Sequence, residues 1–125
     1  MSPSSPKTIL LIHNNTTVAT SVKKLLNAFG YTIIHVASSR KALKSAQSNG
    51  YSLVLSDIMI HDLCGWRLFL KMKQLKPHFK FVFLSRSTIP FDTREKLIAS
   101  GVTDYISFPF DNNEFVTRIN TIITS

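Results

Sequence analysis

Four short segments of this chain carry side chains that can do chemistry. His13, Asn14 and Asn15 follow an apolar run; Asp57 follows another, and the stretch behind it holds His61, Asp62 and Cys64. Ser85, Arg86 and Ser87 follow a third run, and Phe108, Pro109 and Phe110 a fourth. Brought together, they form a site with one central carboxylate, two imidazoles, amides and hydroxyls. Asp57 is its natural acceptor or ion-pair partner. His13, Asp57 and His61 are side-chain types that Zn²⁺ accepts, although their spacing is scattered. Protonated His13 beside Asp57 would make a pH-sensitive contact. Other chemistries fail on local grounds. The segment HNNTT has no glycine, so it cannot cradle a phosphate as a Gly-rich loop does. No nucleophile elbow anchors a Ser-His-Asp set. Cys64 has no second cysteine nearby for redox work.

The elements that must position these residues alternate along the chain. Thr8–Ile12, Tyr31–Val36, Ser52–Ser56, Lys80–Ser85 and Asp104–Phe108 are short β-branched or aromatic runs. Most are apolar on both faces, as in parallel strands covered by helices on both sides. Between them, Val18, Val22, Leu25, Leu26 and Phe29 recur at helical steps and stop at Gly30. Ala42, Leu43 and Ala46 predict a second helix ending near Gly50. Leu68, Phe69, Met72 and Leu75 predict a third, stopped by Pro77. Asp92 with Glu95, and Asp111 with Glu114, stand at capping-box spacing before a fourth helix ending at Gly101 and a fifth bearing Phe115, Val116, Ile119, Ile122 and Ile123. Five such units predict an α/β fold: one parallel sheet, right-handed crossovers, five flanking helices. In such a sheet, ligands bind beyond the carboxyl ends of the strands, where all four segments lie.

Length and composition agree. The 125 residues suit one domain. A 44% hydrophobic content excludes intrinsic disorder, and one cysteine excludes a disulfide scaffold and suits a reducing cytoplasm. No apolar run approaches the ~20 residues that cross a bilayer, and MSPSSPK lacks the apolar core of a signal peptide. Residues 1–6 read as a loose tail and 7–125 as the domain. The formal charge of +8 invites an acidic partner. Arg40, Lys41 and Lys44 fall on the second helix; Arg67, Lys71, Lys73 and Lys76 fall on or just after the third. A solvated face accounts for them most simply. Without a nucleic-acid-binding signature, an acidic protein is the better alternative to nucleic acid.

The order of elements, the tract Leu53-Val54-Leu55-Ser56-Asp57-Ile58-Met59, Gly65, and the end Tyr105-Ile106-Ser107-Phe108-Pro109-Phe110 resemble the receiver domain of two-component response regulators. The resemblance runs from about residue 7 to residue 123. It implies a doubly wound, flavodoxin-like sheet in the order 2-1-3-4-5. It also implies that Asp57 is the phosphoacceptor served by a histidine kinase, that Ser85 and Tyr105 are the switch positions, and that Pro109 follows a cis-prolyl bond.

The departures are equally specific. Where the family has an acidic pair holding Mg²⁺, this chain has His13 and Asn14; where it has a lysine, this chain has Phe108. The usual loop proline is His61. Phosphoryl transfer depends on positioning and on neutralising charge at the transferring oxygens. Each lost charge-stabilising contact raises the barrier by about 3–4 kcal/mol. The resemblance therefore implies a degenerate receiver: a cytoplasmic, non-enzymatic signalling module, with weak or absent Mg²⁺ binding and phosphorylation. It would work by docking a kinase, phosphotransfer or output protein, or by pairing through its helix 4–strand 5–helix 5 face. The alternatives are a working phosphoacceptor and a ligand or transition-metal sensor in the same pocket.

Overall fold

The computed structural model describes residues 7–48, 50–60, 64–76, 78–86 and 88–125. The tail 1–6, His61, Asp62, Pro77 and Ser87 therefore lie outside the described residues. Strands β1 (Thr8–Ile12), β2 (Thr32–Val36), β3 (Leu53–Ser56), β4 (Phe81–Ser85) and β5 (Asp104–Ser107) alternate with helices α1 (Thr16–Asn27), α2 (Ser39–Ser48), α3 (Gly65–Leu75), α4 (Phe91–Ala99) and α5 (Asn112–Thr124). All pairings are parallel and the sheet order is β2-β1-β3-β4-β5. Among the described residues no helix is long and apolar enough to cross a membrane.

Alternation along each strand splits the core into two layers. Ile9 and Leu11 of β1, Leu53 and Leu55 of β3, and Val82 and Leu84 of β4 meet Ala19, Val22 and Leu26 of α1 and Phe115, Val116 and Ile119 of α5. Leu10, Ile12, Val54, Phe81 and Phe83 face the opposite way, onto Ala42 and Ala46 of α2 and Leu68, Phe69 and Met72 of α3. Being buried on both faces is what made these strands read as continuous apolar runs. Strand β2, at one edge of the sheet, is the exception and leaves Thr32 and Ile34 exposed, whereas β5 at the other edge is largely covered.

Local signals mostly act as their chemistry requires. Asn15 caps α1 by accepting from the Val18 N–H, and Asp111 caps α5 by accepting from the Glu114 N–H. Gly30 and Gly101 end their helices at φ +92° and +110°, which L side chains rarely adopt. Two expectations are corrected. Helix α4 is not capped by Asp92: Pro90 holds the N-cap position with extended backbone and no side-chain acceptor, so the helix starts at Phe91. Asp92 lies inside the first turn, where its charge meets the positive helix end. Phe29 does not extend the apolar row of α1; the helix has ended at Asn27, and Phe29 is 56% exposed.

Candidate functional site

The last rungs of the sheet set the site. Ile12 pairs with Ser56, so the residues after β1 and β3 emerge side by side, and the Asp57 N–H donates to the Ile12 carbonyl at 2.9 Å. Ser85 pairs with Ser107, and the Phe108 N–H donates to the Ser85 carbonyl at 3.0 Å. His13, Asn15, Asp57, Ser85 and Phe108 therefore line one cavity of about 230 Å³, with Met59 and Arg86 completing its wall. This is the carboxyl end of the central strands, where a parallel α/β sheet puts its ligand.

Asp57 is held at both carboxylate oxygens. Oδ1 accepts from the Met59 N–H at 3.2 Å, and Oδ2 stands 3.4 Å from His13 Nε2. His13 is buried. Its Nδ1 accepts the Asn15 N–H at 3.2 Å, so that nitrogen carries no proton and Nε2 carries the ring's hydrogen. Nε2 makes no geometrically good hydrogen bond among the described residues, and Asp57 Oδ2 is the acceptor it faces. Burial pushes the His13 pKa below its ordinary value; the Asp57 charge opposes this, while His35 and Arg86 add to it. His13 consequently faces Asp57 as a neutral N–H near neutral pH, and the pH-sensitive contact expected of its protonated form belongs to lower pH. His35 approaches from β2 and donates through Nε2 to the His13 carbonyl at 2.9 Å. Asn14 donates to the Met59 carbonyl at 3.0 Å, tying the β1 loop to the chain behind Asp57.

The opposite wall is aromatic. The Phe108 ring lies 5.7 Å from the His13 ring, and the Phe108–Pro109 bond is cis. Tyr105 is buried rather than a surface aromatic, and its side chain is hydrogen-bonded to Ser85, so the two switch positions meet. Burial raises the Tyr105 pKa, Ser85 works against this, and the Asp57 charge adds to it. Arg86, named in the sequence as part of the third segment, was given no role there: its guanidinium carbon lies 5.6 Å from the centroid of the Phe108 ring, so a cation stands at the pocket wall from the end of β4 rather than β5. The available signal was its place immediately after Ser85. His61, the third of the metal candidates, lies outside the described residues; the structure brings His13 and Asp57 together. Among the described residues no group of three ligating side chains could hold a metal ion.

The surface beside this pocket is separately braced. Asp104 on β5 accepts from Arg94 of α4 at 2.6 Å and from Arg118 of α5 at 2.7 and 3.2 Å. A hollow of about 500 Å³ lies between those helices, where Phe110 stacks on Phe115 at 4.1 Å. Phe91 is apart from this pair and exposed.

A five-stranded 2-1-3-4-5 sheet with an aspartate, a hydroxyl and a cis-proline at its carboxyl edge defines a receiver fold. The chain belongs to the response regulator receiver domain family, whose model matches residues 9–120. It is 34% identical over 119 residues to Histidine kinase P4 of Formosa agariphila, covering 93% of this chain and 8% of that protein. It is 30% identical over 111 residues to the transcriptional regulatory protein HprR of Escherichia coli, covering 89% of this chain and 49% of that one. The chain thus spans half or less of these relatives. Among solved structures it is similar in fold to the receiver domain of the sensor histidine kinase PA1611 from Pseudomonas aeruginosa, which has a magnesium ion coordinated in its active site cleft (TM-score 0.85, 24% identity, 97% and 100% of the two chains). A CheY-like receiver domain protein from Methanospirillum hungatei superposes with a TM-score of 0.86 at 23% identity, over 96% and 95% of the two chains.

The residues present here do not fit Mg²⁺. That ion demands several hard oxygen ligands in octahedral geometry. Among the described residues the pocket offers the single Asp57 carboxylate, with an imidazole N–H facing one of its oxygens. The Asn14 amide oxygen is buried with no hydrogen-bond partner among the described residues, but one neutral oxygen does not replace an acidic pair.

Proposed function

We propose that this receiver domain is a docking module in two-component signalling, catalysing no reaction of its own, with Asp57 phosphorylated slowly or not at all. One observation carries the reading: the buried, neutral His13 presents Nε2 to Asp57 Oδ2 at 3.4 Å, where ordinary receivers gather negative charge for a metal. A transferring phosphoryl group needs positive charge around its oxygens. Phe108 supplies none, and Arg86 is exposed and lies against that ring. Relatives named as a histidine kinase and a transcriptional regulator indicate the setting: partners that send or receive a signal through protein contact.

Incubation with acetyl phosphate and Mg²⁺, followed by intact mass, tests this. The wild type should acquire its adduct at least about a hundredfold more slowly than an ordinary receiver domain, because one lost charge-stabilising contact alone is worth that much. The triple variant His13→Asp, Asn14→Asp, Phe108→Lys should regain transfer, and adding Asp57→Asn should abolish it. A wild-type rate equal to that of an ordinary receiver, lost in Asp57→Asn, would overturn the proposal.

A further inference from the structure

Helices α1, α2 and α3 contain no acidic side chain, while every described carboxylate apart from Asp57 lies at or beyond Asp92. The excess charge therefore has a place in the fold. Lys73 Nζ donates to the Ser100 carbonyl at 2.9 Å, which identifies the flank of α3 that faces α4. On the other flank, Leu75 lines a small hollow with Ala46 of α2. Arg67 and Lys71 precede Leu75 at steps of four and stand in the same row, exposed. Helix α2 packs against α3, buries Ala42 and Ala46, and exposes Arg40, Lys41 and Lys44. Arg40 and Lys44, four residues apart, thus form one exposed row on α2, and Arg67 and Lys71 form another on the α3 flank nearer α2.

Among the described residues no carboxylate pairs with Lys41, Lys44, Arg67 or Lys71. Like charges four residues apart on a helix repel, so the fold bears these groups at a cost. Leu70 and Leu75 stand among them, 42% and 46% exposed. A phosphate backbone gains nothing from exposed leucines. The aromatic platforms that hold single-stranded bases are missing too, since Phe69 is buried and Trp66 packs on it at 5.4 Å. A second copy of this chain offers a poor match, because its α4 and α5 interleave Asp92, Glu95 and Glu114 with Arg94, Lys96 and Arg118 and are each formally neutral.

We propose that the α2–α3 face docks an acidic amphipathic helix of a protein partner, its carboxylates among Lys44, Arg67 and Lys71 and its apolar side on Leu70 and Leu75. This names the partner chemistry for the docking reading and rests on it, yet it concerns a different surface from the Asp57 pocket. Efficient phosphorylation of Asp57 would overturn the pocket reading and leave this one standing.

Fluorescence anisotropy decides it, using a labelled peptide of about 18 residues with glutamates on one helical face and leucines at i, i+3, i+4 and i+7 on the other. The comparison probes are a scrambled peptide of the same composition and a 20-base-pair DNA duplex, a longer and more highly charged ligand that would bind more tightly if charge alone decided. The amphipathic peptide should bind best, and more weakly as salt is raised. Lys44→Glu with Lys71→Glu should weaken binding about tenfold or more, while the same charge change at Lys23 and Lys24 of α1 should leave it within about twofold. Circular dichroism verifies that both variants fold; should the first fail, Lys44→Gln with Lys71→Gln replaces it. Equal losses in the two variants, equal binding of the scrambled peptide, tighter binding of DNA, or no binding at all would each overturn the proposal.

Discussion

The two ring nitrogens of His13 have different neighbours, and that difference fixes the charge of the pocket. Nδ1 is committed to accepting the Asn15 N–H, and burial disfavours a second ring proton. A histidine whose folded pKa is depressed binds fewer protons folded than unfolded, so its contribution to stability is complete above the unfolded value. It is lost as pH falls from about 6.5 toward the depressed folded value. Thermal unfolding should therefore show the midpoint falling as pH is lowered from about 7 to about 5, with a shallower fall in His13→Gln. Parallel curves for the two proteins would remove His13 as the source. At Ser85, the hydroxyl meets the buried Tyr105 side chain. Ser85→Ala should lower the unfolding free energy by about 1 kcal/mol, read from urea denaturation, because the partner is left in a buried setting. The residue types at the pocket were legible in the sequence. Whether His13 was charged was not, since that depends on how many atoms surround it and what its far nitrogen touches.

At the scale of elements, close approach matters more than propensity. Gly65 opens α3 directly behind Asp57. A Cβ there would meet the Asp57 carbonyl oxygen at 2.7 Å, the Ile58 Cα at 2.9 Å and the Phe83 ring at 2.9 Å. Two of those contacts are backbone, so the chain carrying Asp57 has to move. Gly65→Ala should cost about 2 kcal/mol in urea unfolding and displace the amide resonances of Asp57 and Met59. An unchanged midpoint would mean that the helix start yields freely. Asp104 is the second case: one carboxylate on β5 ties α4 to α5 through Arg94 and Arg118 and also accepts the Tyr105 N–H at 2.8 Å. Because the arginines remain about a third exposed, solvent trims the effect, and Asp104→Asn should cost about 1–2 kcal/mol. A loss below about 0.5 kcal/mol would make the clamp ornamental. The helices and strands themselves were legible because their apolar periods are regular. The start of α4 was not, because Pro90 fixed the chain two residues before the acidic pair that looked like its cap.

Across the whole molecule, charge is separated rather than merely abundant. No acidic side chain occurs before Asp57, whereas from Asp92 onward five acidic residues stand against three basic ones. Repulsion among the α2 and α3 cations opposes folding, and salt screens exposed charges over a Debye length of about 8 Å near physiological ionic strength. Raising NaCl from about 0.02 to about 0.3 M should therefore increase the thermal midpoint, and Lys44→Glu with Lys71→Glu should reduce that gain. A midpoint falling with salt would show that attractive pairs outweigh the basic cluster.

The sequence by itself determined the layer architecture, since strands apolar on both faces and helices at 3.6-residue period admit few arrangements but a parallel sheet between two helical layers. It also determined that Asp57 would end a central strand, and that no acidic pair or lysine would join it there. Only the tertiary structure decided that His13 is buried with its N–H toward Asp57, and that Arg86 lies on Phe108. The same holds for the meeting of Ser85 with Tyr105 and for the packing of α2 beside α3, which brings the exposed cations of both helices to one side of the sheet. The physical reason is common to all four. Protonation, stacking and charge clustering depend on distances between residues remote in the chain, and those distances are set by strand register and helix packing, not by neighbours in sequence.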